Sequence, residues 1–380
     1  MTKNKAKHEP LFHVVRRTSM PAWQSISIRA LSILAAFLVC CLILLIAYQC
    51  DPITFISSLF NGVFGTERRI WLFLYDLAIL LGISLALVPA FKMKFWNIGA
   101  DGQTLIGGLG CVAVMHYLGG VLPDAGVIAI SLVVSILAGG IWGLIPAFFK
   151  ARFKTNETLF TLMMNYIAIQ LVSFFINTWV SSGTGVLKPI DTGNLPTIGG
   201  NTYLLTIILV AILLVFMSVY LRYSKHGFEL SLVGENENTA RYAGINVRKV
   251  IIRTMLLSGV ICGVMGFLMV SGYTHTISTS LVNGRGFTGV IVTWLSGFNP
   301  LYMVLTSVLF VFLSRGTSQV ITNLGITNSA IQNIVIGIFY FCIIGFEFFI
   351  RYQVLFTKNG SKRNSSLVKG LEVKAESKEA

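Results

Sequence analysis

The chain has 380 residues, of which 54% are hydrophobic and 12% are charged, and its mean hydropathy is +0.76. Soluble domains carry about 25% charged residues, so this composition excludes a soluble domain and predicts a polytopic membrane protein. The net charge of +14 is explained by basic residues that orient the chain in the membrane and attract anionic lipid head groups. It does not indicate nucleic-acid binding.

Long apolar segments follow one another along most of the chain. A helix needs about 20 apolar residues to cross about 30 Å of hydrocarbon. A weaker stretch at residues 287–298 is too short to span alone, which predicts a broken or re-entrant helix. The predicted fold is therefore all-α, with about ten transmembrane helices, one of them short or discontinuous. The nine longer segments lie at residues 29–49, 70–91, 96–118, 126–149, 158–178, 203–222, 250–272, 301–321 and 330–350.

Basic residues predict the orientation, because Lys and Arg concentrate near the cytoplasmic ends of spans. Ten crossings from a cytoplasmic N-terminus place most basic residues inside, whereas nine crossings would put the basic tail from Arg351 outside. Both termini are therefore predicted to be cytoplasmic. The predicted organisation is an N-terminal tail at 1–28, a transmembrane domain at 29–350 with a cytoplasmic loop at 223–249, and a disordered tail at 351–380.

No sequence motif indicates catalysis, a cofactor or a metal. The six cysteines lie within or beside predicted spans, without a CxxC pair or a histidine at ligand spacing. The phosphate loop GxxxxGK followed by Ser or Thr is missing, as are HExxH and a nucleophile elbow. The five histidines are scattered, which argues against a membrane-embedded enzyme. Uphill transport by this chain would therefore depend on an ion gradient or on another subunit.

An ion-coupled secondary transporter is one alternative for such a chain. Coupling sites in these carriers are built from intramembrane ionisable groups, which are costly in lipid and therefore functional. The candidates are few, and the roles of Asp76 and Arg315 stay open at this point. The intramembrane set comprises Asp76, Asp101, Glu347, Arg253 and Arg315.

A polar stretch, GENENTARYAGIN at residues 234–246, separates two long hydrophobic segments. Asn236 or Asn238 is a suitable helix N-cap, and Gly244 suits the left-handed residue that ends a helix. We expect a short helix on the cytoplasmic face that carries Arg241 and Tyr242 and docks into a groove of a partner. A solvated connector is the alternative.

Four collinear elements carry a family resemblance that runs from about Trp71 to Phe349. The polar stretch with the following VRKVIIRTMLLSGVICGVMG resembles the coupling loop of bacterial ABC-importer permeases for ribose-type sugars, nucleosides and branched-chain amino acids. TLMMNYIA at 161–168 is similar to the MMNYIA element of the nucleoside branch of this family, whose members are linked to purine-binding lipoproteins. The other two elements are FWNIGADGQ at 95–103 and GRGFTGVIVTWLSGFNP at 284–300.

The resemblance implies a permease subunit in a bacterial plasma membrane that forms half of a translocation pore. Nucleosides or related ribose-containing solutes are the implied cargo, with simple sugars such as ribose as the alternative. The implied partners are a second homologous permease, two cytoplasmic ABC ATPase domains and an extracytoplasmic substrate-binding lipoprotein. The ATPases would dock on Glu235, Asn236, Asn238, Arg241, Tyr242, Gly244 and Asn246.

Polar groups at membrane depth mark the expected substrate pathway, because irregular or charged segments are tolerated there when they line a cavity or pack in protein. Asp101 stands where the family usually has Glu. The alternative to a place in the pathway is a structural role, in which Asp101 caps a helix and pairs with a partner such as Arg253 or Arg315. The amides could instead make interhelical hydrogen bonds, and Trp294 could be an interfacial anchor. The pathway candidates are Asn97, Asp101, Gln103, Asn165, Phe287, Thr288 and Trp294.

Overall fold

The structure, a computed structural model, describes residues 12–17, 20–180, 186–325 and 330–356. Most of the predicted disordered tail, from residue 357 to 380, lies outside these residues, as does the start of the predicted N-terminal tail. Helices make up nearly all of the regular structure in the described ranges. The prediction of an all-α polytopic membrane protein is confirmed.

Thirteen α-helices occur in the described ranges, together with two short strands, β1 (Phe12–Arg16) and β2 (Tyr352–Phe356). A π-helical turn, Val270–Thr274, extends the tenth helix. The helices are α1 (Ala22–Tyr48), α2 (Pro52–Phe64), α3 (Glu67–Lys92), α4 (Ala100–Leu118), α5 (Asp124–Phe153), α6 (Glu157–Trp179), α7 (Leu204–Tyr223), α8 (Lys225–Glu235), α9 (Glu237–Tyr242), α10 (Val247–Met269), α11 (Arg285–Leu295), α12 (Pro300–Asn323) and α13 (Ala330–Arg351).

Within the described residues, eight helices are long and apolar enough to cross a membrane: α1, α3, α5, α6, α7, α10 with its π-helical turn, α12 and α13. The 19-residue α4 and the 11-residue α11 bring the number of predicted membrane elements to ten. The stretch predicted to be short, residues 287–298, is largely α11. Hydropathy did not predict α2 and α8, which are short helices outside the long apolar windows.

The chain divides into two compact units, one made of residues up to Ser58 and from Thr317 onward, the other of Leu59–Gly316. In the first unit α1 packs against α13, and β1 pairs antiparallel with β2. Arg29 on α1 lies 3.6 Å from the carboxylate of Glu347 on α13. The two strands extend the helical pair beyond α1 and α13 and were not predicted from the sequence.

In the second unit, α10 lies at the centre and packs against α5, α4 and α3. The helices approach closely because glycines line the contacts. A Cβ at Gly263 would overlap the backbone carbonyl oxygen of Ser135 on α5. Small residues of this kind allow helices to pack tightly in lipid, where no hydrophobic force between helices drives their association. α3 and α4 thus pack directly against α10, and α11 packs against α3 and α4.

Candidate functional site

An irregular segment at residues 93–99 joins α3 to α4 and is anchored by Asn97. This side chain is fully buried, and its Nδ2 donates to Ser258 Oγ on α10 at 3.1 Å. Its Oδ1 accepts from the Gly99 backbone N–H at 2.9 Å, and its amide also pairs with the buried amide of Gln103 at 3.4 Å. The polar groups of Asn97 and Gln103 therefore bind each other and the neighbouring helices.

Asn165 on α6 binds the backbone on both sides of the junction between the irregular segment and α4, an arrangement that we call the Asn165 clamp. Its Nδ2 donates to the Ile98 carbonyl at 2.9 Å, and its Oδ1 accepts from the Gly102 backbone N–H at 2.8 Å. Gly102 lies in the first turn of α4, where backbone N–H groups have no partner within the helix. The interhelical hydrogen bonding that the sequence left open for Asn165 is thus present in the structure.

Asp101 joins α4 to α11. Its Oδ1 accepts from the Gly286 backbone N–H at 2.7 Å, which places a carboxylate at the N-terminus of α11, where the helix dipole favours a negative charge. The sequence-based alternative named Arg253 or Arg315 as its partner. Arg315 donates from its Nε to a different carboxylate, Asp76.

The side chains of Asp76, Arg285 and Arg315 form what we call the salt-bridge cluster. Asp76 Oδ1 lies 3.0 Å from Arg285 Nη2, and Asp76 Oδ2 lies 2.5 Å from Arg315 Nε. Asp76 is about 14 Å along α3 from Glu67, so the cluster lies within the span and connects α3, the start of α11 and α12. Arg285, at the start of α11, is therefore part of this network.

Next to this cluster, three tyrosine rings form what we call the tyrosine cluster: Tyr75, Tyr203 and Tyr273. Their ring centroids lie 4.8 to 5.8 Å apart. Tyr75 directly precedes Asp76 and is 3% exposed, and its hydroxyl has no hydrogen-bond partner among the described residues. Tyr273 is 37% exposed. Sequence analysis missed all three, since single tyrosines near span ends carry no signal of their mutual contact.

The remaining pathway candidates lie on α11. Phe287 is exposed, and Thr288, in the same first turn as Arg285, donates from its hydroxyl to the Gly284 carbonyl at 3.4 Å. Trp294 is half-buried near the other end of the helix. Thr293 is buried, and its hydroxyl donates to the backbone carbonyls of Ser84 on α3 and Gly289 on α11. The structure thus brings Asp101, Phe287 and Thr288 together with the salt-bridge cluster, and leaves Trp294 apart.

The 223–249 loop contains α8 and α9. Asn236 caps α9, because its Oδ1 accepts from the backbone N–H groups of Asn238 and Thr239 at 2.8 and 3.3 Å. The helix ends at Tyr242, and Gly244, two residues later, has a φ of 79° that allows the paired backbone bonds of a Schellman motif. Asn246 then caps α10 through the Lys249 N–H at 3.2 Å. The loop is therefore a well-defined structure with a cap at each end.

Exposed side chains cover the outer surface of α9. Tyr242 is 93% exposed, and Arg241 forms an exposed ion pair with Glu237 at 3.2 Å. Glu235 and Asn238 are also exposed. A ring of this size left almost entirely in solvent suits a contact with another protein, where tyrosine and arginine are enriched.

Two contacts hold α8 against the membrane helices. A Cβ at Gly234 would overlap the Lys92 carbonyl oxygen at the end of α3, so only glycine permits this approach. His226 lies between α7 and α10, with Nδ1 2.6 Å from the Tyr220 hydroxyl and Nε2 3.3 Å from Thr254 Oγ1. The exposed α9 is therefore joined to a helix whose position is fixed by α3, α7 and α10.

The hydrogen bonds around His226 determine its tautomer. Thr254 donates its hydroxyl proton to a backbone carbonyl one turn earlier at 2.6 Å, so it accepts from Nε2–H and Nδ1 accepts from Tyr220. Burial lowers the pKa of the imidazole below its ordinary value, and the charge of Arg253 acts in the same direction, opposed by Glu229. The imidazole is thus held in its neutral form.

A basic surface lies beside α9. An open depression of about 730 Å³ separates the end of α5 from the 223–249 loop. One acidic side chain, Glu237, lines it among several basic ones. The basic lining residues are Lys150, Arg152, Lys154, Arg241 and Arg248. This charge favours an acidic partner surface next to α9.

Comparison with known proteins gives consistent matches. The family described as branched-chain amino acid transport system / permease component matches residues 69–344. The guanosine ABC transporter permease protein NupP of Bacillus subtilis is 31% identical over 290 residues, covering 74% of this chain and 82% of the relative.

Two further relatives match over longer stretches. The nucleoside ABC transporter permease protein NupB of Lactococcus lactis subsp. cremoris is 27% identical, covering 80% of this chain and 87% of the relative. The glucose ABC transporter permease protein TsgB13 of Haloferax volcanii is also 27% identical, covering 89% of this chain and 92% of the relative.

Proposed function

Since this chain belongs to the family of branched-chain amino acid transport system permease components, we propose that it carries nucleosides, or closely related ribose-containing solutes, through the membrane. The family predicted from the sequence elements is confirmed, and the chain is a transport subunit of an ABC importer, not an enzyme. ABC permeases work with ATPase and substrate-binding partners. The observation that carries the nucleoside proposal is the 31% identity with a guanosine permease. The glucose permease relative supports simple sugars as the second candidate.

The cytoplasmic ATPases are proposed to dock on α9 and its caps, the residues from Glu235 to Asn246 named above. Three features support this: the exposed Tyr242, the basic depression and the fixed attachment of α8 to the membrane helices. ATP binding would move the docked loop and so favour one of two pore conformations, provided that the ATPases bind the two conformations with different affinity.

The proposed orientation places both termini in the cytoplasm of a bacterial cell. The pairing of β1 with β2 supports a common side for the two ends of the domain, and the distribution of Lys and Arg supports the cytoplasmic side. A second homologous permease would complete the pore. A lipid-anchored binding protein would deliver the solute from outside.

The substrate pathway is proposed to pass the N-terminal turns of α4 and α11. Asp101, Phe287 and Thr288 would line it beside the salt-bridge cluster, with Trp294 further along α11. Asn97, Gln103 and Asn165 would support the pathway from behind, because their amides already bind protein groups. Intramembrane ionisable residues mark substrate or ion pathways by default, owing to their cost in lipid.

Uptake assays test the proposal directly. Cells expressing this chain with its partner subunits would be given labelled nucleosides and pentoses, with and without ATP depletion at a maintained ion gradient. We expect nucleoside uptake that stops on ATP depletion. Pentose uptake without nucleoside uptake would favour the sugar alternative. Uptake that survives ATP depletion and stops when the ion gradient is collapsed would contradict ABC transport and favour a secondary carrier.

A further inference from the structure

We propose that the tyrosine cluster and the salt-bridge cluster together form a subsite that binds the base of a 6-oxopurine nucleoside within the membrane. This inference rests on the proposed nucleoside transport and specifies where and how the base is recognised. Tyr75 and Asp76 are consecutive residues of α3, so both clusters include a side chain from the same turn of that helix. Arg285 lies within electrostatic range of Tyr75, and Arg315 within range of Tyr273.

The tyrosine cluster supplies a stacking surface. Tyr273 and Tyr203 are partly exposed, while Tyr75 packs behind them with its centroid 4.8 Å from that of Tyr273. Aromatic side chains stack on nucleobases through their ring faces, and such contacts contribute strongly to the binding of single bases. A planar purine fits this surface better than a sugar ring, which has no π face.

Unpartnered hydroxyls lie at the same place. The Tyr75 hydroxyl and the Thr206 hydroxyl are buried and have no hydrogen-bond partner among the described residues. Thr206 lies one turn after Tyr203 on α7, and a Cβ added at Gly272, next to Tyr273, would lie 3.0 Å from its Oγ1. Buried polar groups without a partner are costly. A bound solute that reaches either hydroxyl would supply the missing partner.

The arginines give the subsite its specificity for the base. Asp76 accepts from one nitrogen of each guanidinium, and Arg285 Nη1 also donates to the Leu281 carbonyl at 3.4 Å. The side chains of Arg285 and Arg315 remain 29% and 33% exposed. Each guanidinium carries five N–H donors in a planar fork, so donors remain for a ligand. This fork matches the adjacent O6 and N7 acceptors of guanine or hypoxanthine, whereas adenine presents a donor at position 6.

A competition assay tests this assignment on the complete complex. The transporter, with its second permease and ATPases, would be placed in nanodiscs without ATP, and binding of labelled guanosine would be competed with unlabelled compounds. We expect inosine to compete like guanosine, and adenosine and 7-deazaguanosine to compete about tenfold less well. Equal competition by adenosine would overturn the O6/N7 assignment. Stronger competition by guanosine monophosphate would mean that the arginines bind phosphate instead of the base.

Substitutions at Tyr273 and Arg315 test whether these residues account for guanosine binding and for its preference over adenosine. Tyr273→Leu removes the ring and should weaken guanosine binding about tenfold, while Tyr273→Phe keeps the stacking face and should bind guanosine more tightly than Tyr273→Leu. Arg315→Lys keeps the charge but not the fork, and should reduce the preference for guanosine over adenosine. The matched control is Tyr302→Leu, a change at a tyrosine that is 60% exposed on α12 and away from both clusters.

The outcomes separate the two levels of the proposal. If the wild-type complex assembles but takes up no nucleoside, the proposed function fails. If the wild type imports guanosine, but Tyr273→Leu binds it as the control does and Arg315→Lys keeps the wild-type preference for guanosine over adenosine, only the subsite assignment fails. Co-purification of each variant with its partner subunits checks that the changes do not prevent folding.

Discussion

The clamp formed by Asn165 gives a direct prediction for stability. Replacing Asn165 with Ala leaves the Gly102 N–H and the Ile98 carbonyl without the partners that now lie at 2.8 and 2.9 Å. An unsatisfied buried group costs about 1–3 kcal/mol, whereas interhelical hydrogen bonds in membranes contribute about 0.6 kcal/mol on average. The larger value applies here, because a backbone group at a helix break has few alternative partners. We expect Asn165→Ala to destabilise the protein by about 2–4 kcal/mol.

Reversible unfolding of the purified protein in mixed micelles measures this loss. The matched control is Asn177→Ala, the same substitution on the same helix at an exposed position, which should change stability by less than about 0.5 kcal/mol. The KM for nucleoside uptake should be unchanged in the folded fraction of Asn165→Ala. Equal stability of the two variants, with a raised KM for Asn165→Ala, would refute the clamp and make this amide a substrate ligand.

Two further predictions concern the attachment of α8. Gly234→Ala introduces a Cβ that overlaps the Lys92 carbonyl oxygen, so α8 must shift, and we expect fewer nucleosides transported per ATP hydrolysed in proteoliposomes; an unchanged ratio would contradict this. Because burial lowers the pKa of His226, the docked α8 should lose stability as pH falls below about 6.5, the ordinary histidine value. Hydrogen exchange of α8, corrected for intrinsic rates, should therefore quicken between pH 7.5 and 5.5 in the wild type but not in His226→Gln. Equal acceleration in both would contradict a role for this imidazole.

Hydropathy is sufficient to locate the long helices, because a span must be apolar over about 20 residues whatever it packs against. It also identifies the short element at α11, whose apolar run is interrupted on both sides. It does not predict α8, which buries only one face and includes Glu229 and Glu235. The strands β1 and β2 pair residues from opposite ends of the chain, and no local pattern reports such pairing.

The sequence identifies the polar and charged residues of the candidate site, but it does not predict which of them contact each other. Intramembrane Asp76 and Arg315 stand out by charge, but they lie 239 positions apart, so their contact depends on how α3 and α12 pack. Arg285 follows an apolar span and resembles a loop residue until the fold places it against α3. For Asn165, the amide is visible in the sequence, but whether a solute or the protein backbone engages it is decided by geometry.

The hydrogen-bond partners of Asp76 and Asp101 also bear on whether an ion gradient could drive transport. Asp76 accepts from two arginines, and Asp101 accepts from the N-terminal N–H of α11. Both acids therefore have partners within the protein, which makes a structural role for them an alternative to ion coupling. The ion-coupled alternative predicts that Asp101→Asn abolishes uptake. It also predicts that collapsing the proton or sodium gradient stops uptake by the wild type at full ATP, and the same transport assay measures both.

The most direct test of the account is coupling through α9. Arg241 and Tyr242 would both be replaced with Ala while the caps Asn236 and Gly244 are retained, and nucleoside uptake would be measured in cells where the variant inserts at wild-type levels. We expect loss of ATP-dependent uptake, with the membrane domain still folded and able to bind guanosine. Wild-type uptake by this variant would contradict the claim that the ATPases drive transport through this helix.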